Sequence, residues 1–95
     1  MNEKKCIIRC NYAGVFFGVV AKREGQEAEL RDVRRIWYWA GAATLSQLAM
    51  EGTKKPDECK FTMAVPVMTV TDVIEVIPCT EEAVANIEAV PVWKI

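Results

Sequence analysis

The residues best suited to chemistry lie in one run, Arg34-Arg35-Ile36-Trp37-Tyr38-Trp39-Ala40-Gly41-Ala42-Ala43-Thr44. Its guanidinium groups can grip a phosphate through paired hydrogen bonds. The faces of Trp37, Tyr38 and Trp39 offer platforms for a planar base. Gly41, Ala42 and Ala43 carry almost no side chain, so an anion can approach the free N–H groups of the helix start that follows, with the Thr44 hydroxyl close by. Ser46 and Gln47 fall in its first turn, and Arg9 and Asn11 can approach from an adjacent strand. Arg9, Asn11, Arg34, Arg35, Trp37, Tyr38, Trp39, Gly41, Ala42, Thr44, Ser46 and Gln47 are therefore the candidate ligand-binding residues. Each ingredient has a plainer role as well. Strand tryptophans commonly fill a core, an arginine can lay its stem over one, and small residues suit a tight turn.

Catalysis finds no such concentration. The chain has no histidine, which removes Ser–His and Cys–His nucleophilic schemes. The acids stand in turns, at helix starts and beside basic residues, and Asp72 and Glu75 fall on opposite faces of a strand, a poor pair for sharing a proton or a metal. Cys6, Cys10, Cys59 and Cys79 form no C-x-x-C pair. Cys6 and Cys10, four apart on a strand, are separated by about 13 Å, too far to share an ion. The expectation is a non-enzymatic protein with free, buried thiols and no metal or cofactor.

Ninety-five residues match one small domain, residues 1–95. Such a chain buries a modest core, yet 52% of its residues are apolar, and a homodimer or higher oligomer is one outlet for the surplus. The net charge of −1 argues against nucleic acid as the partner. Charge is unevenly spread: residues 1–60 hold eleven Lys and Arg against eight acids, and residues 61–95 hold Lys94 against five. A surface for an anion is thus expected from the first two thirds. The charged start, Met1-Asn2-Glu3-Lys4-Lys5, has no long apolar stretch after it, which predicts neither a signal peptide nor a membrane span, and a cytoplasmic location.

The elements that must position these residues read as an α+β fold: a small, mainly antiparallel sheet with two short helices, assembled as an oligomer. Lys5–Cys10 predicts a strand and Asn11–Gly14 a turn. Val15–Lys22 and Gln26–Leu30 predict a hairpin around Arg23-Glu24-Gly25. Val33–Trp39 predicts a further strand, with Val33, Arg35, Trp37 and Trp39 on one face and Arg34, Ile36 and Tyr38 on the other. Thr44-Leu45-Ser46-Gln47 matches a capping box, and Gly52 closes the helix. Lys54–Glu58 reads as a solvated loop. Pro66 interrupts Phe61–Val70, predicting an edge strand or two pieces. Asp72–Ile77 predicts a strand, Thr80 caps a second helix through Ala89 with Val84 and Ile87 inward, and Val90–Ile95 a β-like tail.

Much of the chain, including Arg34–Ala49, Glu51-Gly52-Thr53, Cys59-Lys60-Phe61, Val73–Pro78, Val90–Trp93 and the early Ala13-Gly14-Val15-Phe16 with Gly18, resembles a family of uncharacterised small proteins of phages and bacteria. More loosely, the chain is similar to phage anti-defence sponges, small oligomeric proteins that sequester a host nucleotide messenger without cleaving it. That resemblance implies binding of a cyclic oligonucleotide or a cyclic ADP-ribose type of signal. It carries over no binding residue, so the candidate site rests on the residues' own chemistry. The alternative is an adaptor or inhibitor that sets the same aromatic and arginine patch against another protein, since Trp, Tyr and Arg dominate interface hot spots.

Overall fold

A computed structural model describes residues 4–95; Met1, Asn2 and Glu3 of the charged start lie outside the described residues. Six strands and two helices follow in the order β1 (Lys5–Cys10), β2 (Val15–Glu24), β3 (Glu27–Tyr38), α1 (Leu45–Glu51), β4 (Lys60–Phe61), β5 (Val65–Val70), β6 (Val73–Pro78) and α2 (Glu81–Glu88). The strands pair antiparallel, with β2 between β1 and β3, β6 on the far side of β1, and β4 and β5 along different stretches of β3. The α+β expectation of a small antiparallel sheet with two short helices holds. Among the described residues, no helix is long and apolar enough to cross a membrane.

The sheet cannot be flat. Val70 pairs with Ala28 on β3 and Val73 pairs with Cys10 on β1, so the two belong to strands at opposite ends of the series β5-β3-β2-β1-β6. Four strand spacings across a flat sheet amount to roughly 19 Å. Three residues of chain reach at most about 11 Å. The sheet therefore curls, and the short Thr71-Asp72 link draws its two edges together. Inside the curl, Ile8, Phe16, Leu30 and Val33 are fully buried, joined by Cys6, Cys10 and Val73.

The outer face carries a second core. Ile7, Phe17 and Ile36, alternating with the inward residues, pack under Leu48 and Ala49 of α1 and Ala83 and Ile87 of α2, with Phe61 alongside. Burying a side chain of this size contributes about 1.5–3 kcal/mol, which is what holds two helices too short to form alone. Both helices start as their sequences predict: Thr44 accepts from Gln47 N and Thr80 from Ala83 N. Their ends are tied together, because the Asn86 amide accepts from Thr53 N at 2.8 Å and donates to Thr53 O at 3.0 Å. Gly52 (φ 78°) makes this approach possible; a Cβ there would stand 2.4 Å from Asn86 Oδ1.

Several boundaries differ from expectation. The hairpin turns at Gly25-Gln26, not across Arg23–Gly25, because β2 runs on to Glu24. Gln26–Leu30 and Val33–Trp39 are not two strands: β3 is continuous from Glu27 to Tyr38, and Trp39 lies beyond it. An extra residue in β3 opposite Gly18 is absorbed at Asp32, whose φ is 48°, and its carboxylate takes a 2.7 Å salt bridge from Lys5. The Lys54–Glu58 loop contains a 3-10 turn at Pro56–Glu58. Pro66 does not interrupt the segment: it lies inside β5, which pairs with β3, and the gap between β4 and β5 falls at Thr62–Ala64 instead. In α2, Ile87 is buried as expected, but Ala83 is the fully buried neighbour and Val84 only half-buried. The β-like tail is reduced to one parallel bridge between Val92 and Phe61.

Candidate functional site

Arg34 and Arg35, adjacent on β3, go to opposite faces and to different fates. Arg34 is only 6% exposed. Its Nε donates to Thr62 O at 2.8 Å and its Nη1 to Ile87 O at 2.9 Å, while Nη2 reaches Phe61 O at 3.2 Å, Val90 O at 3.1 Å and Pro91 O at 3.4 Å. Its guanidinium also lies 5.5 Å from the centre of the Phe61 ring. Burial lowers its pKa from the usual arginine value, and the nearby Glu88 charge opposes that shift. This cation sits at the negative end of α2 and joins it to β4 and the tail. A phosphate finds no free fork here, so Arg34 serves the fold.

The other arm of the expected site is equally occupied. Trp39 packs against the outer core and its indole N–H donates to Ala42 O at 3.2 Å, with Ala42 also against that core. Gly41 (φ 81°) is small because the 53–55 segment crosses it; an added Cβ would come 2.5 Å from Lys55 N. At the helix start Thr44 Oγ1 accepts from Gln47 N at 3.1 Å, and the Gln47 side chain reaches back to the residue before the cap, its Oε1 accepting from Ala43 N at 2.8 Å. Ser46 is exposed on α1. The residues thus explain a turn and a cap.

Arg35 lies at one end of the curled sheet, its guanidinium 4.7 Å from the Phe16 ring centre and its Nη1 donating to Ala13 O at 2.7 Å. The turn it touches is held by Asp72, whose carboxylate accepts from Tyr12 N and from Ala13 N, while Asp72 O accepts from Asn11 N at 2.8 Å. Arg9 is drawn elsewhere, into a 2.9 Å salt bridge with Glu75. Burial, with Asp72 beside it, pushes the Cys10 thiol up to about 11, and burial with neighbouring Cys6 does the same for Cys79. Such thiols are poor nucleophiles at neutral pH.

The Tyr12 and Ala13 N–H groups hold the Asp72 carboxyl below its ordinary value of 3.8. A lowered folded pKa stabilises the fold above the unfolded pKa, and that contribution is lost as pH falls through the folded value. Asp72→Asn is therefore expected to melt below the wild type at pH 6–7, with the gap closing as the pH is taken below about 4. Melting curves across that range check it; a gap that does not depend on pH contradicts the assignment.

One part of the predicted stretch faces solvent with its rings free. Trp37 is 59% exposed and Tyr38 50%, and both are outward because Trp37 is an extra residue between the Ile36–Phe61 and Tyr38–Lys60 pairs. Trp37 stacks on Trp93, with ring centres 5.1 Å apart and planes inclined by 26°. Lys60 Nζ lies 5.1 Å from the Trp37 ring centre and 5.5 Å from that of Trp93. Met63 and Val92 are also half-exposed on the same two segments. Neither Lys60 nor Trp93 belongs to the expected site. The alternation of Trp93 and Ile95 marks the tail as a docking strand, but no pattern in the sequence says that it meets Trp37.

Two clefts flank Lys5 and Glu88, and the smaller of them is lined in part by Arg34 and Val92. One of about 420 Å³ is lined by Lys4, Lys5, Cys79, Glu81, Val84, Ala85 and Glu88, and a neighbour of about 230 Å³ shares Lys5 and Glu88 with it. Lys5 bridges Asp32 and Glu88 there, so the polar groups between them satisfy one another.

No curated protein and no solved structure matches the chain. A family model does, over residues 3–87, a span that takes in the whole sheet and both arginines but ends before the tail that carries Trp93. The chain belongs to the family described as Domain of unknown function (DUF6948).

Proposed function

We propose that this chain is a non-catalytic adaptor or inhibitor, encoded by a phage or a bacterium and working in the cytoplasm, that engages another protein through Trp37, Trp93, Tyr38 and Lys60. The observation that carries this reading is the stacked, solvent-facing Trp37–Trp93 pair. Exposed tryptophans are costly to leave in water and are the commonest anchors of protein interfaces. Lys60 has no salt bridge among the described residues, and Lys94 follows Trp93 on the tail, so the complementary surface is acidic as well as apolar. Charge of one sign on the face also disfavours pairing with a second copy of the chain through it.

Capture from bacterial lysate on immobilised wild type, Trp37→Ser and Ile74→Ser tests the reading; Ile74 is an exposed apolar residue on β6 and serves as control. The expected result is a protein retained by the wild type and the Ile74 variant, lost by the Trp37 variant, and bound directly when purified. Identical captures on all three overturn it.

The second reading, sequestration of a cyclic nucleotide or ADP-ribose-derived signal, is favoured by Arg35, a half-buried cation two residues from Trp37 on β3. It predicts a rise in melting temperature with micromolar nucleotide from a panel of both classes, abolished by Arg35→Ala and accompanied by release of the intact nucleotide on heating. A panel without any shift excludes it.

A further inference from the structure

We infer that Arg34 is a positioning residue for the recognition face: its guanidinium latches the tail so that Trp93 lies on Trp37. The inference rests on the proposed role of that face, but its geometry stands apart from any partner.

Beyond α2 the tail has little of its own to hold it. The last strand-like contact is the single bridge of Val92 to Phe61, completed by Trp93 N donating to Phe61 O at 2.8 Å. Just before this bridge, Val90 O and Pro91 O both accept from Arg34 Nη2. The same Nη2 donates to Phe61 O, the carbonyl that receives Trp93 N. One planar group thus fixes the end of α2 through Ile87 O, the exit of the chain through Val90 O and Pro91 O, and the β4 edge through Phe61 O and Thr62 O. The two indoles come together where these segments converge.

Arginine suits this role because its five N–H donors lie in one plane with fixed directions. Lysine keeps the charge but presents three donors on a flexible stem and cannot serve five carbonyls on three segments. No carboxylate shares the cradle at salt-bridge distance among the described residues, so the group acts through donor geometry more than through charge pairing. The family span ends at residue 87, and Arg34 connects that span to the part of the face carried outside it.

The test reads the indole pair directly, with no partner present. Two stacked indoles couple their transitions and give a paired band in circular dichroism; Trp93→Phe sets its zero. In Arg34→Lys the amide signal and a cooperative melt are expected to persist, while the paired band falls to the Trp93→Phe level and the Trp93 amide loses its protection from hydrogen exchange. A folded Arg34→Lys with the band intact overturns the inference. Hydrogen exchange of the wild type decides the matter if the variant does not fold. Protection of the Trp93 amide in step with those of Thr62 and Val90 supports the latch, and an unprotected Trp93 amide beside protected Thr62 and Val90 overturns it. Loss of the band together with unchanged capture by Arg34→Lys would leave the latch standing and refute the recognition role of the Trp93 half of the face.

Discussion

Arg34→Met is expected to cost the fold about 3 kcal/mol, and up to about 5, a large part of the stability of a domain this size. Methionine matches the length of the buried stem but returns none of the five hydrogen bonds. Phe61 O and Ile87 O keep main-chain donors, from Trp93 and Val90, so the loss falls mainly on Thr62 O, Val90 O and Pro91 O. A buried carbonyl left without a donor, as Val90 O would be, costs about 1–3 kcal/mol, the part-buried Thr62 O and Pro91 O cost less, and the sum is partly offset by no longer burying a cation. Arg35→Ala, by contrast, removes one half-buried bond to Ala13 O and a contact over the Phe16 ring, and is expected to cost about 1 kcal/mol. Urea unfolding of both variants measures the difference. Equal midpoints for the two would mean that the carbonyl cradle contributes nothing.

Trp37→Ala is expected to weaken partner binding by about 2–4 kcal/mol, or roughly thirty- to a thousandfold. The same substitution shifts folding little, because the ring is more than half exposed in the free protein and its removal opens no cavity. The strand position, which commonly makes a tryptophan part of the core, does not do so here. Phe17→Ala supplies the contrast: that ring is fully buried, and its truncation is expected to cost about 3–5 kcal/mol of stability. Titration calorimetry against the purified partner, together with urea unfolding of the same samples, separates the two effects. A Trp37→Ala protein that binds as tightly as wild type contradicts the role of the face.

What could be read from the chain follows the range of the interactions that decide each feature. The cap at Thr44 and Gln47 and the Gly52 stop depend on residues a few positions apart, and the structure keeps both. The length of β3 was hidden because Asp32 reads as a strand breaker, whereas here its left-handed φ absorbs an extra residue and its charge is met by Lys5 from β1. Alternation does assign Arg34 and Arg35 to opposite faces. It cannot foresee that the carbonyls of Phe61, Thr62, Ile87, Val90 and Pro91 converge on one of them. Likewise the extra residue at Trp37 breaks the alternation that would have placed it with Trp39, and the pairing of Trp37 with Trp93 depends on a tail distant in sequence. Local chemistry was legible; the sharing of side chains between remote segments was not.

The most direct test of the recognition face is an amide hydrogen-exchange footprint of the chain, free and saturated with the protein captured through Trp37. Slowed exchange on binding is predicted at Trp37 and Tyr38, over Lys60–Met63 and over Trp93–Ile95, with Asn11–Gly14 and Thr44–Glu51 unchanged. Slowed exchange confined to Asn11–Gly14 and Thr44–Glu51, with the Trp37, Lys60 and Trp93 segments unaltered, would contradict it.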